Sequence, residues 1–271
     1  MPRWVWTLCL GLLALPALAQ SSLFPAVPAS DDAATAPPQL RRAAPPPATA
    51  SAEELEARGD ELRAEKSYAD ALDYYRAALA KSESALLRNK SGIVHLQMLH
   101  YDKAKKEFER ALKRDPAYAE AYNNLGVVNY IQNDYKRAIR RYQKALELRE
   151  DSASFHSNLG TAYFDRKEYD KASAEYLRAL ELDPDIFERQ SAAGVSAHMA
   201  SPGDRARYSY VIAKMYAKSG NADRCLLYLK KAMEAGYAGI SDVYKDEEFA
   251  QVRKDPRFTQ LMASKPVSVP N

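Results

Sequence analysis

Residues 121–146, "AYNNLGVVNYIQNDYKRAIRRYQKAL", carry apolar side chains at helical spacing on both sides of a short polar break. Leu125 lies in the first half, and Tyr142 and Leu146 in the second. Gln132, Asn133 and Asp134 interrupt the pattern with residue types that favour turns. The spacing predicts a helix, a tight reversal and a second helix.

The same positions return at a constant step. Gly92, Gly126 and Gly160 are separated by 126−92 = 34 and 160−126 = 34 residues. Tyr101, Tyr135 and Tyr169 keep that step, as do Ala104, Ala138 and Ala172, and Ala111, Ala145 and Ala179. Gly59, Ala71 and Ala78 open the series one residue short. Pro116 and Pro184 disfavour helix at Asp115 and Asp183 and so divide one unit from the next. A fixed period of this size predicts stacked helical hairpins, because a single hairpin cannot bury its own apolar face. Gly126 and Ala138 are expected where the two helices cross, since larger side chains would push them apart.

A fifth copy follows an interruption. Ala172 to Cys225 and Ala179 to Ala232 are both 53 residues. That copy supplies Ala213, Tyr216, Gly220, Cys225 and Leu229, with Cys225 as a small buried residue rather than a redox group. The insert at 187–205 is small and polar and reads as a loop. In the tail, Phe249, Val252, Phe258, Leu261 and Met262 form one apolar face over two short helices. Asp255 is the expected N-cap of the second, with Pro256 at its first position. This tail reads as a cap on the stack.

These positions resemble the tetratricopeptide repeat family, whose pattern is W-x2-L-G-x2-Y, then Ala, an aromatic, Ala, and often Pro. Tyr122, Leu125, Gly126, Ala138, Tyr142 and Ala145 fit one copy. His156, Leu159, Gly160, Tyr163, Ala172, Tyr176, Ala179 and Pro184 fit the next. Gly92, Ala104, Phe108, Ala111 and Pro116 fit the copy before. Asn129 stands in place of the first-helix Tyr, Ser91 in place of the Leu before Gly92, and no copy has the Trp. The resemblance implies an all-α solenoid of about five helix-turn-helix repeats with a C-terminal helical cap. The units are 52–84, 85–118, 119–152 and 153–186, then 206–239, with capping helices and tail over 240–271.

The family binds proteins or peptides on the concave side, lined by the first helix of each repeat. Carrying its groove positions over gives Asn89, Ile93 and Gln97, then Asn123, Val127, Tyr130 and Ile131, then Ser157, Thr161, Phe164 and Asp165. Asn124 and Asn158 sit where the family often holds a peptide backbone with an amide; an inter-repeat hydrogen bond is the equal alternative. Tyr130 and Phe164 are expected side by side and partly exposed, so that truncating both leaves the fold intact. Members that clamp a C-terminal carboxylate use Lys and Arg in the groove, where this chain has Asn, Val, Ser and Thr.

Charge adds a second surface. Arg137, Arg140, Arg141 and Lys144 follow i, i+3, i+4, i+7 and form one exposed stripe on the second helix of the third repeat. A solvated face is the plain reading; the alternative is weak contact with an anionic envelope surface. The net charge of +3 is too small to imply nucleic acid.

The N-terminus reads as a secretory signal: Arg3, an apolar run from Trp4 to Leu18, and Ala17-Leu18-Ala19 before cleavage near Ala19/Gln20. Residues 20–51, rich in Pro and Ala, read as a disordered linker. With Cys9 removed, Cys225 stands alone, and His95, His100, His156 and His198 show no ligand spacing. No phosphate loop, nucleophile elbow or zinc-protease motif occurs. The chain therefore reads as an exported, periplasmic or secreted, non-catalytic scaffold for a peptide or protein, needing no cofactor or metal. An enzyme with an unrecognised site ranks third.

Overall fold

The computed structural model describes residues 42–187 and 202–264. All but Arg42 fall in one compact unit, residues 43–271. The expected signal segment, residues 20–41 of the linker and residues 188–201 of the insert lie outside the described residues. The secondary structure among the described residues is wholly helical.

Five hairpins follow one another. They are α1 (Ala52–Ala64) with α2 (Tyr68–Lys81), α3 (Ala85–Gln97) with α4 (Tyr101–Arg114), and α5 (Ala119–Ile131) with α6 (Tyr135–Leu148). Then come α7 (Ala153–Asp165) with α8 (Tyr169–Leu182), and α9 (Pro202–Lys218) with α10 (Ala222–Glu234). Each second helix also packs on the first helix of the next hairpin.

Local chemistry sets the helix ends. Ser51 starts α1 with a capping box: its hydroxyl accepts from the Glu54 amide at 3.1 Å and the Glu54 carboxylate accepts from the Ser51 amide at 2.7 Å. Ser84, Asp134 and Asn221 cap α3, α6 and α10 in the same sense. The break at 132–134 is a left-handed turn, with Asn133 at φ 60°. Its amide bonds the Tyr130 carbonyl and the Asp134 amide reaches back to Asn129, so the last carbonyls of α5 are satisfied. Lys66, Leu99 and Lys167 hold the same conformation at the equivalent positions.

The repeat glycines are explained by rings. A Cβ on Gly126 would come within 2.5 Å of the Tyr142 ring, and one on Gly92 within 2.4 Å of Phe108. The expected crossing at Gly126 is thus filled by the second-helix aromatic lying flat across the glycine, while Ala138 is fully buried beside it.

Three boundaries differ from the sequence reading. Residues 43–50 are packed rather than free. The Ala43 amide donates to Asp70 at 3.2 Å, the Tyr74 hydroxyl to the Ala44 carbonyl at 3.1 Å, and Lys81 Nζ to the Ala48 carbonyl at 2.8 Å. Ala43 and Ala50 pack on the apolar cluster of the first hairpin. The segment carries no regular secondary structure, turns at 47–50 through the Ala50 amide on the Pro47 carbonyl, and offers one amide and two carbonyls to α2. Next, α9 starts at Pro202, inside the expected loop, and Phe187 at the loop's other end packs edge-on against Tyr176 and Tyr216. Finally, the tail is not two helices. It forms short 3-10 turns at Ile240–Tyr244, Glu247–Phe249 and Val252–Lys254 before α11 (Pro256–Ala263). Asp255 caps α11 as expected, accepting from the Arg257 amide at 2.9 Å. One core cluster runs from Val127 through α9 and α10 to Phe249, Val252 and Phe258, so the tail does close the stack.

Candidate protein-binding surfaces

The first helices of successive repeats meet directly: α3 touches α5, and α5 touches α7. Side chains on that shared side are therefore used between repeats. Asn89, Asn123, Asn124, Val127, Asn158 and Thr161 are all buried. Ile93 and Ser157 are half-buried. Asn124 donates to Asn89 at 2.8 Å, Asn158 to Asn123 at 2.9 Å, and Asn123 to Asn124 at 3.3 Å. The amides form an inter-repeat ladder, so for Asn124 and Asn158 the structure takes the hydrogen-bonding alternative. Thr161 donates to the Ser157 carbonyl and accepts from the Tyr176 hydroxyl.

The expected exposed aromatic pair is corrected. Tyr130 is 1% and Phe164 2% exposed, both inside the main core cluster. Tyr130 packs on Tyr135 and donates its hydroxyl to Asp165, while Phe164 packs on Tyr169 and on Tyr208 of α9. The reason is the close approach of first helices, which turns a groove position into a joint between repeats. Truncating either ring opens a core cavity, a change that costs about 3–5 kcal/mol.

The charged stripe does face outward. Arg137, Arg140, Arg141 and Lys144 are exposed, with Lys136 beside them. Arg137 pairs with Asp134 at 3.1 Å, Lys144 with Glu147 at 2.9 Å, and Arg141 lies 5.9 Å over the Tyr122 ring. Such exposed i,i+3 pairs are worth little and are easily exchanged.

Register connects this stripe to the packed segment at 43–50. Ala71 and Ala138 are equivalent, an offset of 138−71 = 67. Asp70, Tyr74 and Ala77 of α2 thus correspond to Arg137, Arg141 and Lys144 of α6. On α2 this face holds the segment at 43–50; on α6 it is open and cationic. On α8 the matching face is mixed, and Glu175 is engaged with His156 at 2.6 Å. The docked segment was not legible, because nothing in its composition marks one face of α2 as its receptor.

Other chemistry is sparse. Among the described residues no group of His, Cys, Asp and Glu is placed to hold a metal, and no helix is long and apolar enough to cross a membrane. Cys225 is buried, and burial pushes its thiol up to about 12.

Five stacked hairpins, the first four each closed by a glycine under a second-helix ring, define a helical-repeat solenoid. Residues 89–139 and 153–186 match family models described as tetratricopeptide repeat, and residues 129–164 one described as TPR repeat. Over residues 89–186, therefore, the chain carries tetratricopeptide repeats, a repeat type that typically serves in protein–protein interaction scaffolds rather than in catalysis. Comparison with curated proteins gave no match. Among solved structures, MamA is 24% identical, covering 65% of this chain and 93% of its own, with a TM-score of 0.45. YrrB, described as a TPR protein with an unusual peptide-binding site, is 22% identical over 72% and 92%, at 0.46. TTC0263, described as a thermophilic TPR protein in Thermus thermophilus, is 20% identical over 79% and 100%, at 0.48.

Proposed function

We propose that the chain is an exported, non-catalytic scaffold that docks an extended acidic segment of a partner protein on the outward face of α6. The observation that carries this is the register between α2 and α6. One copy of the face already holds a non-helical stretch of chain, residues 43–50, through side-chain contacts to its backbone. The other copy presents Arg137, Arg140, Arg141 and Lys144 to solvent. Four cations at helical spacing suit carboxylates along an extended strand, and such contacts give orientation and fast association more than raw affinity. The buried amides and rings of the first helices argue against a peptide seated among them. Export rests on the apolar run and the Ala-x-Ala site near Ala19/Gln20.

The test is partner capture from native envelope extract, with the mature chain starting at Gln20 as bait. Charge reversal by Arg137→Glu, Arg140→Glu, Arg141→Glu and Lys144→Glu should abolish capture while the helical signal persists, and salt should weaken capture by the wild type. Undiminished capture by the variant overturns the surface. Binding of the wild type to anionic vesicles at low salt, without protein capture, selects the lipid alternative. An intact Met1 in the host's membrane fraction overturns export.

A further inference from the structure

The seam between the first and second hairpins departs from the others. Where a first helix faces the preceding repeat, the third repeat uses Tyr122, Leu125 and Asn129, and the fourth uses His156, Leu159 and Tyr163. The second uses Arg88, Ser91 and His95. Leu125 closes its own seam by packing with Ala104, Phe108 and Val128. Ser91 cannot, and its hydroxyl turns back onto the Leu87 carbonyl at 2.9 Å. A cavity of about 410 Å³ remains between α2, α3 and α4. A water takes about 30 Å³ of liquid, so the space holds a small molecule rather than a single solvent.

Its lining is chemically one-sided. Leu72 and Leu79 give an apolar wall; Arg76, Arg88 and Arg110 set three guanidiniums against the single carboxylate of Glu107. Arg88 is held rigidly by Glu83 at 2.6 and 2.7 Å and by Glu107 at 3.0 Å. Arg76 and Arg110 are more exposed, and each bonds a carboxylate through one terminal nitrogen, to Asp73 at 2.7 Å and Glu107 at 2.5 Å. The His95 ring also lines the space, though its Nδ1 faces away from it: that atom is closed off from water and has no hydrogen-bond partner among the described residues. A buried orphan of this kind costs about 1–3 kcal/mol, and the unfilled seam forfeits packing as well. Departures from local consistency of this sort concentrate at functional sites.

We propose that this cavity binds a small oxyanion, a carboxylate or a phosphate, between Arg76 and Arg110 with the His95 ring behind it and any carbon portion against Leu72 and Leu79. Arginine at all three points suits oxyanions because its planar fork bonds two oxygens at once. The site lies apart from the α6 face and does not depend on it.

The full chain is titrated at constant ionic strength with inorganic phosphate and, separately, with succinate. Heat and the imidazole resonances are followed together. At least one probe should bind and shift His95 more than His100 or His156. Which of the two binds distinguishes phosphate from carboxylate. Arg76→Gln with Arg110→Gln should weaken binding at least tenfold. Ser91→Leu, which supplies the missing side chain, should abolish binding and raise the thermal midpoint. The proposal is overturned if neither probe shifts His95, or if Ser91→Leu binds with wild-type affinity.

Discussion

The rings that cover the four repeat glycines meet three different fates. The Tyr75 hydroxyl donates to Asp60 at 2.6 Å and the Tyr176 hydroxyl to Thr161 at 3.2 Å, both partners being the residue directly after the glycine. In the second repeat Ile93 follows the glycine and Phe108 lacks a hydroxyl, so the pair is matched without a bond. In the third, Val127 follows Gly126 and the Tyr142 hydroxyl is buried with no partner among the described residues. Burial pushes that phenol far above its ordinary value, so it stays neutral. An unpaired buried hydroxyl costs free energy that Phe would not. Tyr142→Phe should therefore raise unfolding free energy by about 1 kcal/mol, whereas Tyr176→Phe, which breaks a made bond, should lower it by about 0.5–1 kcal/mol. Urea titrations of the two variants check the opposite signs.

At the level of elements, residues 43–50 act as part of the first hairpin. The segment follows one stripe of α2, from Asp70 through Tyr74 to Lys81, and covers part of the apolar surface of the first hairpin. A chain starting at Ser51 keeps the capping box of α1 but loses the cover. Its first hairpin should become markedly more susceptible to proteolysis between α1 and α3 than a chain starting at Gln20. Equal digestion rates would show the segment to be dispensable.

Across the whole molecule, the apolar core is not continuous. One cluster serves the first hairpin and reaches Leu87 and Val94, a second joins α4 to α5, and the largest runs from Val127 to Phe258. The polar cavity lies between the first cluster and the rest. Solenoid stability is roughly a sum over repeats and their interfaces, so a weak interface lets the part beyond it open first. Hydrogen exchange should show α1 and α2 exchanging before α5 to α10, and Ser91→Leu should slow them. Uniform protection from α1 to α10 would contradict this order.

The period of glycines, alanines and tyrosines was enough to place the five hairpins, the turn-forming residues at 132–134 marked the break, and Asp255 before Pro256 marked the cap of α11. Each depends on the chain's own neighbours along a helix, or on one backbone angle. The left-handed turn at Leu99 was less visible, since only the repeat register requires it there. Accessibility was another matter. Tyr130, Phe164 and Asn158 occupy positions that could face a ligand or a neighbouring repeat, and the distance between adjacent first helices decides which. That distance comes from packing side chains 34 residues apart along the chain, which no local pattern encodes. The same holds for Ala43–Ala50 on α2, and for the space left beside Ser91. A departure from the repeat is legible at Ser91, but whether its neighbours collapse into the gap or hold it open is settled only when α2, α3 and α4 are in place.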